Sequence, residues 1–170
     1  MPACIYTYPR GGVYRGTATM KTTPLNEAVD RIACDCIAAR VRLLSRVITN
    51  IYDEALRPHG LRVSQMNILV AASKFGVARP AELCQALKMD HSTLSRNVER
   101  MRARGWLEAV DDRDGRASPF RVTKQGRQLL KRVLPAWEKA QEKAVSVLGE
   151  DGARMLARAV GNVRRSETQP

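Results

Sequence analysis

Long apolar runs are missing from this chain of 170 residues. No stretch of about eighteen consecutive apolar residues is present to cross a bilayer, and the N-terminus lacks the continuous apolar core of a secretory signal. The expectation is a soluble, unexported, cytoplasmic protein with no membrane partner. Cysteine is scarce as well: Cys4, Cys34, Cys36 and Cys84 are too few and too scattered for a disulfide framework, which fits a reducing compartment. Catalytic signatures are absent. There is no G-x-S-x-G elbow, no phosphate-cradling G-x-x-x-x-G-K-[ST], and no His-Cys or paired-carboxylate frame, so neither an enzyme nor a cofactor is expected. A metal centre is not expected either. Residues two apart on a helix point to different sides, so Cys34 and Cys36 cannot jointly grip one ion without unwinding. Only His59 and His91 add imidazole nitrogen. Asp112, Asp114 and Gly115 echo a calcium loop that Arg116 and the missing downstream Glu break. The first two dozen residues contain no acidic group and no helical or strand period, so residues 1–23 read as a flexible arm and 166–170 as a tail.

Against these absences stands a large excess of positive charge. Formal net charge is +12, which favours a polyanionic partner, nucleic acid first. From His91 to Arg132 there are 11 Lys or Arg against 5 Asp or Glu, a net of +6 and half of the chain's excess. A solvated basic face is the plain alternative, and spacing decides between the two.

Apolar residues recur at helical spacing from Leu25 to Leu56, through Val29, Ile32, Ile37, Val41, Leu44, Val47, Ile48 and Ile51. One long helix is expected, ended by Pro58 and Gly60. Its length exceeds the usual helix of roughly 11–12 residues, so a partner subunit is the natural cover for its apolar stripe. Ser64 is expected to cap a second helix that stops at Gly76. Pro80 suits the first position of a short support helix, AELCQALK. Asp90 then caps the next, HSTLSRNVERMRARG, which places Leu94, Val98 and Met101 on one face. The opposite face carries Ser92, Thr93, Ser95, Arg96, Asn97 and Arg100. Small hydroxyls near a helix N-terminus let the backbone approach a major groove, while Arg and Asn reach phosphates or base edges. A merely solvated polar face loses to this reading because the face lies in a two-helix context with a short turn. Gly105 closes the helix, WLEAV and PFRV read as two strands around a turn-rich loop, and Thr123 caps a final long helix bent near Pro135. A last helix follows from Asp151 to Val163. Arg113 and Arg116 sit in the loop among aspartates, where an arginine can project into a minor groove. The fold class is therefore mainly α with a small β-hairpin wing: a winged helix-turn-helix. Residues 63–123 form the DNA-binding lobe, and 24–62 and 124–165 supply N- and C-terminal dimerisation helices.

Residues 25–148 resemble the MarR family of transcriptional regulators. The resemblance is carried by Gly105, Trp106 and Leu107, then Asp111, Arg113, Asp114 and Arg116, then Thr123 and Gly126. It implies that Asp114 and Arg116 brace the wing. It also implies an arginine between them that enters the minor groove; Gly115 stands there, so that role passes to Arg113. It further implies a homodimer on a pseudo-palindromic operator with half-sites roughly 10 base pairs apart, and a repressor released by a small aromatic or lipophilic effector. Ile51, Met66, Leu69 and Val70 lie by placement where such a ligand would bind, although residues at that spacing read first as core.

One branch of the family senses organic hydroperoxides through a cysteine near the start of the first helix, which singles out Cys34 and Cys36 as redox candidates. The branch's cysteine position corresponds to Ala38, and its tyrosine positions to Val63 and Met66. Burial as small hydrophobes is the favoured reading of both thiols. A sequence-indifferent DNA-coating protein is the remaining alternative.

Overall fold

The computed structural model describes residues 23–111 and 118–166. The order is α1 (Pro24–Asp35), α2 (Ile37–Leu56), a 3-10 turn (Arg57–His59), α3 (Val63–Phe75), α4 (Pro80–Leu87), α5 (His91–Ala103), β1 (Leu107–Ala109), β2 (Phe120–Val122) and α6 (Lys124–Ser166). Chain contacts define two compact units, one ending at Ile48 and the other beginning at Thr49. The expected arm, and Arg113, Asp114, Gly115 and Arg116 of the wing tip, lie outside the described residues.

In the first unit the expected single helix is interrupted. Thr23 caps α1 by accepting from the Asn26 N–H at 3.3 Å, but Cys36 leaves the helical region with φ −65° and ψ 106°. The guanidinium of Arg40 donates to the Cys34 carbonyl. A side chain thus takes an acceptor that the next helical turn would have used, one of the ordinary causes of a break. Cys34 and Cys36 are half-buried rather than buried, so the small-hydrophobe reading holds only in part. Because Cys36 is not helical, the helical-spacing argument against a shared metal does not apply to it; among the described residues no group of three or more His, Cys, Asp or Glu side chains is placed to hold a metal ion.

In the second unit one apolar core joins every element. Leu56 and Leu61 meet Ile68, Leu69 and Ala72 of α3, Leu83 of α4, Leu94 and Met101 of α5, Phe120 and Val122 of β2, and Leu129 and Val133 of α6. The start of α3 differs from expectation. Arg62, not Ser64, is the N-cap residue. The Gln65 side chain accepts from the Arg62 N–H at 3.2 Å and the Asp53 carboxylate from the Val63 N–H at 2.8 Å. Orphan donors of the first turn are thereby satisfied without a serine cap.

β1 and β2 pair antiparallel in the register Leu107↔Val122, Glu108↔Arg121 and Ala109↔Phe120, and Ala78 bridges to Phe120 on the far side. Gly105, at φ +69°, turns the chain from α5 into β1 where a side chain would be strained. Thr123 links the hairpin to α6: its hydroxyl donates to the Gly105 carbonyl at 2.7 Å and accepts from the Gly126 N–H at 3.0 Å. Gly126 is required here for space, since a Cβ would sit 2.4 Å from the Trp106 carbonyl oxygen.

Helical torsions persist through Pro135, where a bend was expected. The interruption falls at Gly149 with φ 70° and ψ 155°, conformations that glycine supplies without strain. No helix among the described residues is long and apolar enough to cross a membrane.

Candidate nucleic-acid interface

Two helices and a short turn carry the interface. α4 begins with Pro80 in its first turn and ends at Leu87, capped by Lys88 in the left-handed region at φ 52°. That reversal lets Asp90 start α5 three residues after α4 ends. Asp90 accepts from the Thr93 N–H at 2.8 Å and from the Ser92 hydroxyl at 2.6 Å. These bonds favour the ionised carboxylate and hold its pKa well below the ordinary value of 3.8. A group whose folded pKa is depressed contributes stability that is present above its unfolded pKa and lost as pH falls through the folded one. The start of α5 is therefore expected to loosen as pH drops below about 4, and amide exchange at Thr93 and Leu94 should accelerate there relative to the intrinsic rate at each pH. In Asp90→Asn, which cannot titrate, that acceleration should vanish.

Leu94 and Met101 bury one side of α5, and Val98 packs against the same core. The opposite side brings together all six expected contact residues. Ser92, Arg96 and Arg100 are exposed, and Thr93, Ser95 and Asn97 are half-buried. In the DNA-free chain the donors fold back on the helix: Arg96 Nε to the Ser92 carbonyl at 3.2 Å, Arg96 Nη2 to the Ser92 hydroxyl at 3.3 Å, and Asn97 Nδ2 to the Thr93 carbonyl at 2.8 Å. These are weak local bonds to exposed groups, and a nucleic acid can replace them. His91, the first residue of α5, is exposed beside them. The hairpin carries an exposed ion pair, Arg121 Nε to Glu108 at 2.6 Å.

Two arginines absent from the expected set stand next to this face. The Arg104 guanidinium lies 5.0 Å from the centre of the Trp106 ring and donates to the Gly60 carbonyl; Arg62 is exposed before α3. Gly60 and Arg104 are 44 residues apart, beyond the reach of any local pattern.

A short support helix, a polar recognition helix buried on its other side and a β-hairpin directly after it define a winged helix-turn-helix protein. The MarR family model matches residues 59–117. An uncharacterised HTH-type transcriptional regulator of Bacillus subtilis, YxaD, is 41% identical over 76 residues, covering 44% of this chain and 53% of that relative, so the chain spans about half that relative's length. HTH-type regulator PecS of Dickeya dadantii is 23% identical over 126 residues, covering 72% and 76%. Among solved structures, a MarR mutant of E. coli complexed with operator DNA aligns with a TM-score of 0.68 at 17% identity, covering 84% of this chain and 99% of that one. M. tuberculosis MosR in complex with DNA aligns at 0.65 with 27% identity, covering 79% and 99%. Residues 59–117 are thus similar to the MarR family, and the fold of the chain is a MarR-like winged helix-turn-helix.

Proposed function

We propose that the chain is a cytoplasmic, sequence-specific double-stranded DNA-binding regulator that acts as a homodimer, a repressor released from a pseudo-palindromic operator by a small aromatic or lipophilic ligand. The observation that carries the reading is the exposed Ser92 to Arg100 face, held rigid by Leu94 and Met101 beneath it. It presents hydroxyls, an amide and guanidiniums in the pattern that major-groove readout uses. Net charge of +12 supplies the sequence-independent attraction. On this reading Arg113 enters the minor groove, with Asp114 and Arg116 bracing the wing. Residues 24–62 and 124–165 serve dimerisation, and the lobe between them, 63–123, binds DNA.

Support for a second copy comes from apolar surface that one chain leaves uncovered. Leu25, Val29 and Ile32 of α1 are 54–70% exposed, and Met155, Leu156, Val160 and Val163 of α6 are 42–69% exposed. Stripes of this extent are unusual on a monomer. Complexes of E. coli MarR and M. tuberculosis MosR with DNA support the choice of duplex DNA as partner.

Titration of the full chain against its own upstream DNA and against random duplex, at several salt concentrations, tests the reading. A regulator should prefer its operator by at least about 10³, with two chains per site and footprinted half-sites about 10 base pairs apart. A ratio near one at every salt concentration would favour a DNA-coating protein instead.

A further inference from the structure

One cavity of about 420 Å³ lies at the edge of the recognition helix and shares two residues with the face described above. Gly60, Arg62 and Ser64 line it from the start of α3, and Asn97, Arg100 and Arg104 from α5 and its end. Three guanidiniums, two primary amides (Gln65 and Asn97) and a hydroxyl thus surround one concavity, and no carboxylate lines it. Cations gathered in this way repel one another, and the repulsion is relieved when an anion enters.

Of the acidic groups near in the chain, Glu99 beside Arg100 lines a different cavity, and Asp53 and Glu54 are engaged elsewhere. Asp53 accepts from the Val63 N–H at 2.8 Å, and Glu54 pairs with Lys143 at 3.8 Å. Both acids line a separate cavity on the other side of Arg62. One wall is preorganised, because Arg104 is anchored to the Gly60 carbonyl and lies over the Trp106 ring at 5.0 Å. Little side-chain freedom remains there to be lost on binding.

We infer that this cavity is a phosphate clamp that grips one backbone phosphodiester of the bound duplex, bordering the groove that α5 enters; the inference rests on the DNA-binding reading above. Phosphate is the anion whose geometry suits several guanidinium forks at once. Arg100 and Asn97 belong both to the exposed face of α5 and to the cavity. A duplex seated on that face therefore brings its sugar-phosphate edge to the cavity mouth. Arg62 and Arg104, which lie off the reading face, make no base contact, so they add affinity and fix register without adding sequence preference.

Salt-dependent titration of the full-length chain separates these statements. Each neutralised phosphate contributes about 0.9 to the slope of log K against log salt. In Arg62→Ala that slope is expected to fall by about 0.9 per bound subunit, with affinity at low salt reduced about tenfold and the operator-to-random ratio unchanged. Arg62→Lys should recover most of the slope, and an unchanged thermal melt for both variants would exclude misfolding as the cause. If the wild-type chain binds duplex with a steep slope that Arg62→Ala leaves intact, the clamp is overturned while the DNA-binding reading stands; if the wild-type chain binds no duplex, both fall. Inorganic phosphate provides the other arm, added to DNA-free protein at fixed ionic strength. Should it perturb the Arg62, Asn97 and Arg104 side-chain resonances saturably at micromolar concentration while the DNA slope is insensitive to Arg62, the cavity serves a free ion and the clamp is again overturned.

Discussion

Replacing Arg96 and Asn97 together by alanine is expected to lower the operator-to-random affinity ratio by about 30-fold to 10⁴-fold, since each bidentate side-chain-to-base pair discriminates by about 1–3 kcal/mol. The two side chains sit on adjacent positions of the exposed face of α5, and both spend their donors on the helix's own Ser92 and Thr93 groups when no duplex is present. Giving those bonds up costs little, because a typical intramolecular hydrogen bond contributes a net of about 0.5–1.5 kcal/mol. Competition titration of the variant against operator and random duplex measures the ratio directly. Affinity for random duplex should fall by far less, as most of it comes from charge that the remaining arginines supply. An unchanged ratio accompanied by a salt slope lower by about 0.9 per subunit would reassign Arg96 to phosphate binding. Since Asn97 carries no charge, the single variants tell the two roles apart.

Much of this site was legible because its signals are local. The Asp90 cap, the three- and four-residue steps of Leu94, Val98 and Met101, and the left-handed Gly105 are each decided within one or two turns of chain, and the structure places all of them as the spacing implies. Cys36 was not legible: it leaves the helical region at ψ 106°, where a side-chain donor at Arg40 meets a backbone acceptor six residues away. Apolar periodicity runs straight across that break and gives no sign of it. Likewise Ser64 looked like a cap because of its residue type, whereas the helix starts earlier, with the Arg62 N–H taken by Gln65 and the Val63 N–H, from ten residues upstream, by Asp53. The pairing of Arg104 with Gly60, and with it the cavity at Arg62, depends on tertiary packing alone. Hydrophobic and charge patterns report which face of an element is covered; they do not report which distant backbone carbonyl an arginine will find.

Phe120 carries the other large expected effect, on stability rather than recognition. It is 2% exposed and occupies the middle of a three-way junction. Its N–H donates to the Ala78 carbonyl at 3.0 Å, and its carbonyl accepts from the Ala78 N–H at 2.8 Å. On the other side it is paired in register with Ala109. Strands of three residues are too short to persist by themselves, so the hairpin depends on the Phe120 ring seated among Leu83, Leu94 and Met101 of the shared core. Phe120→Ala keeps every backbone bond and deletes only the ring, leaving a cavity; the expected loss is about 3–5 kcal/mol of unfolding free energy. Set against a typical total of about 5–15 kcal/mol, a loss of this size unfolds a sizeable fraction of the molecules or shifts the urea midpoint far down. Phe120→Leu, which retains most of the apolar volume, should cost under about 1.5 kcal/mol. Urea unfolding of the three proteins provides the comparison. A loss below about 1 kcal/mol for Phe120→Ala would mean that the site collapses around the missing ring, and that the hairpin is held to the helices by its Ala78 backbone bridge instead of by the core.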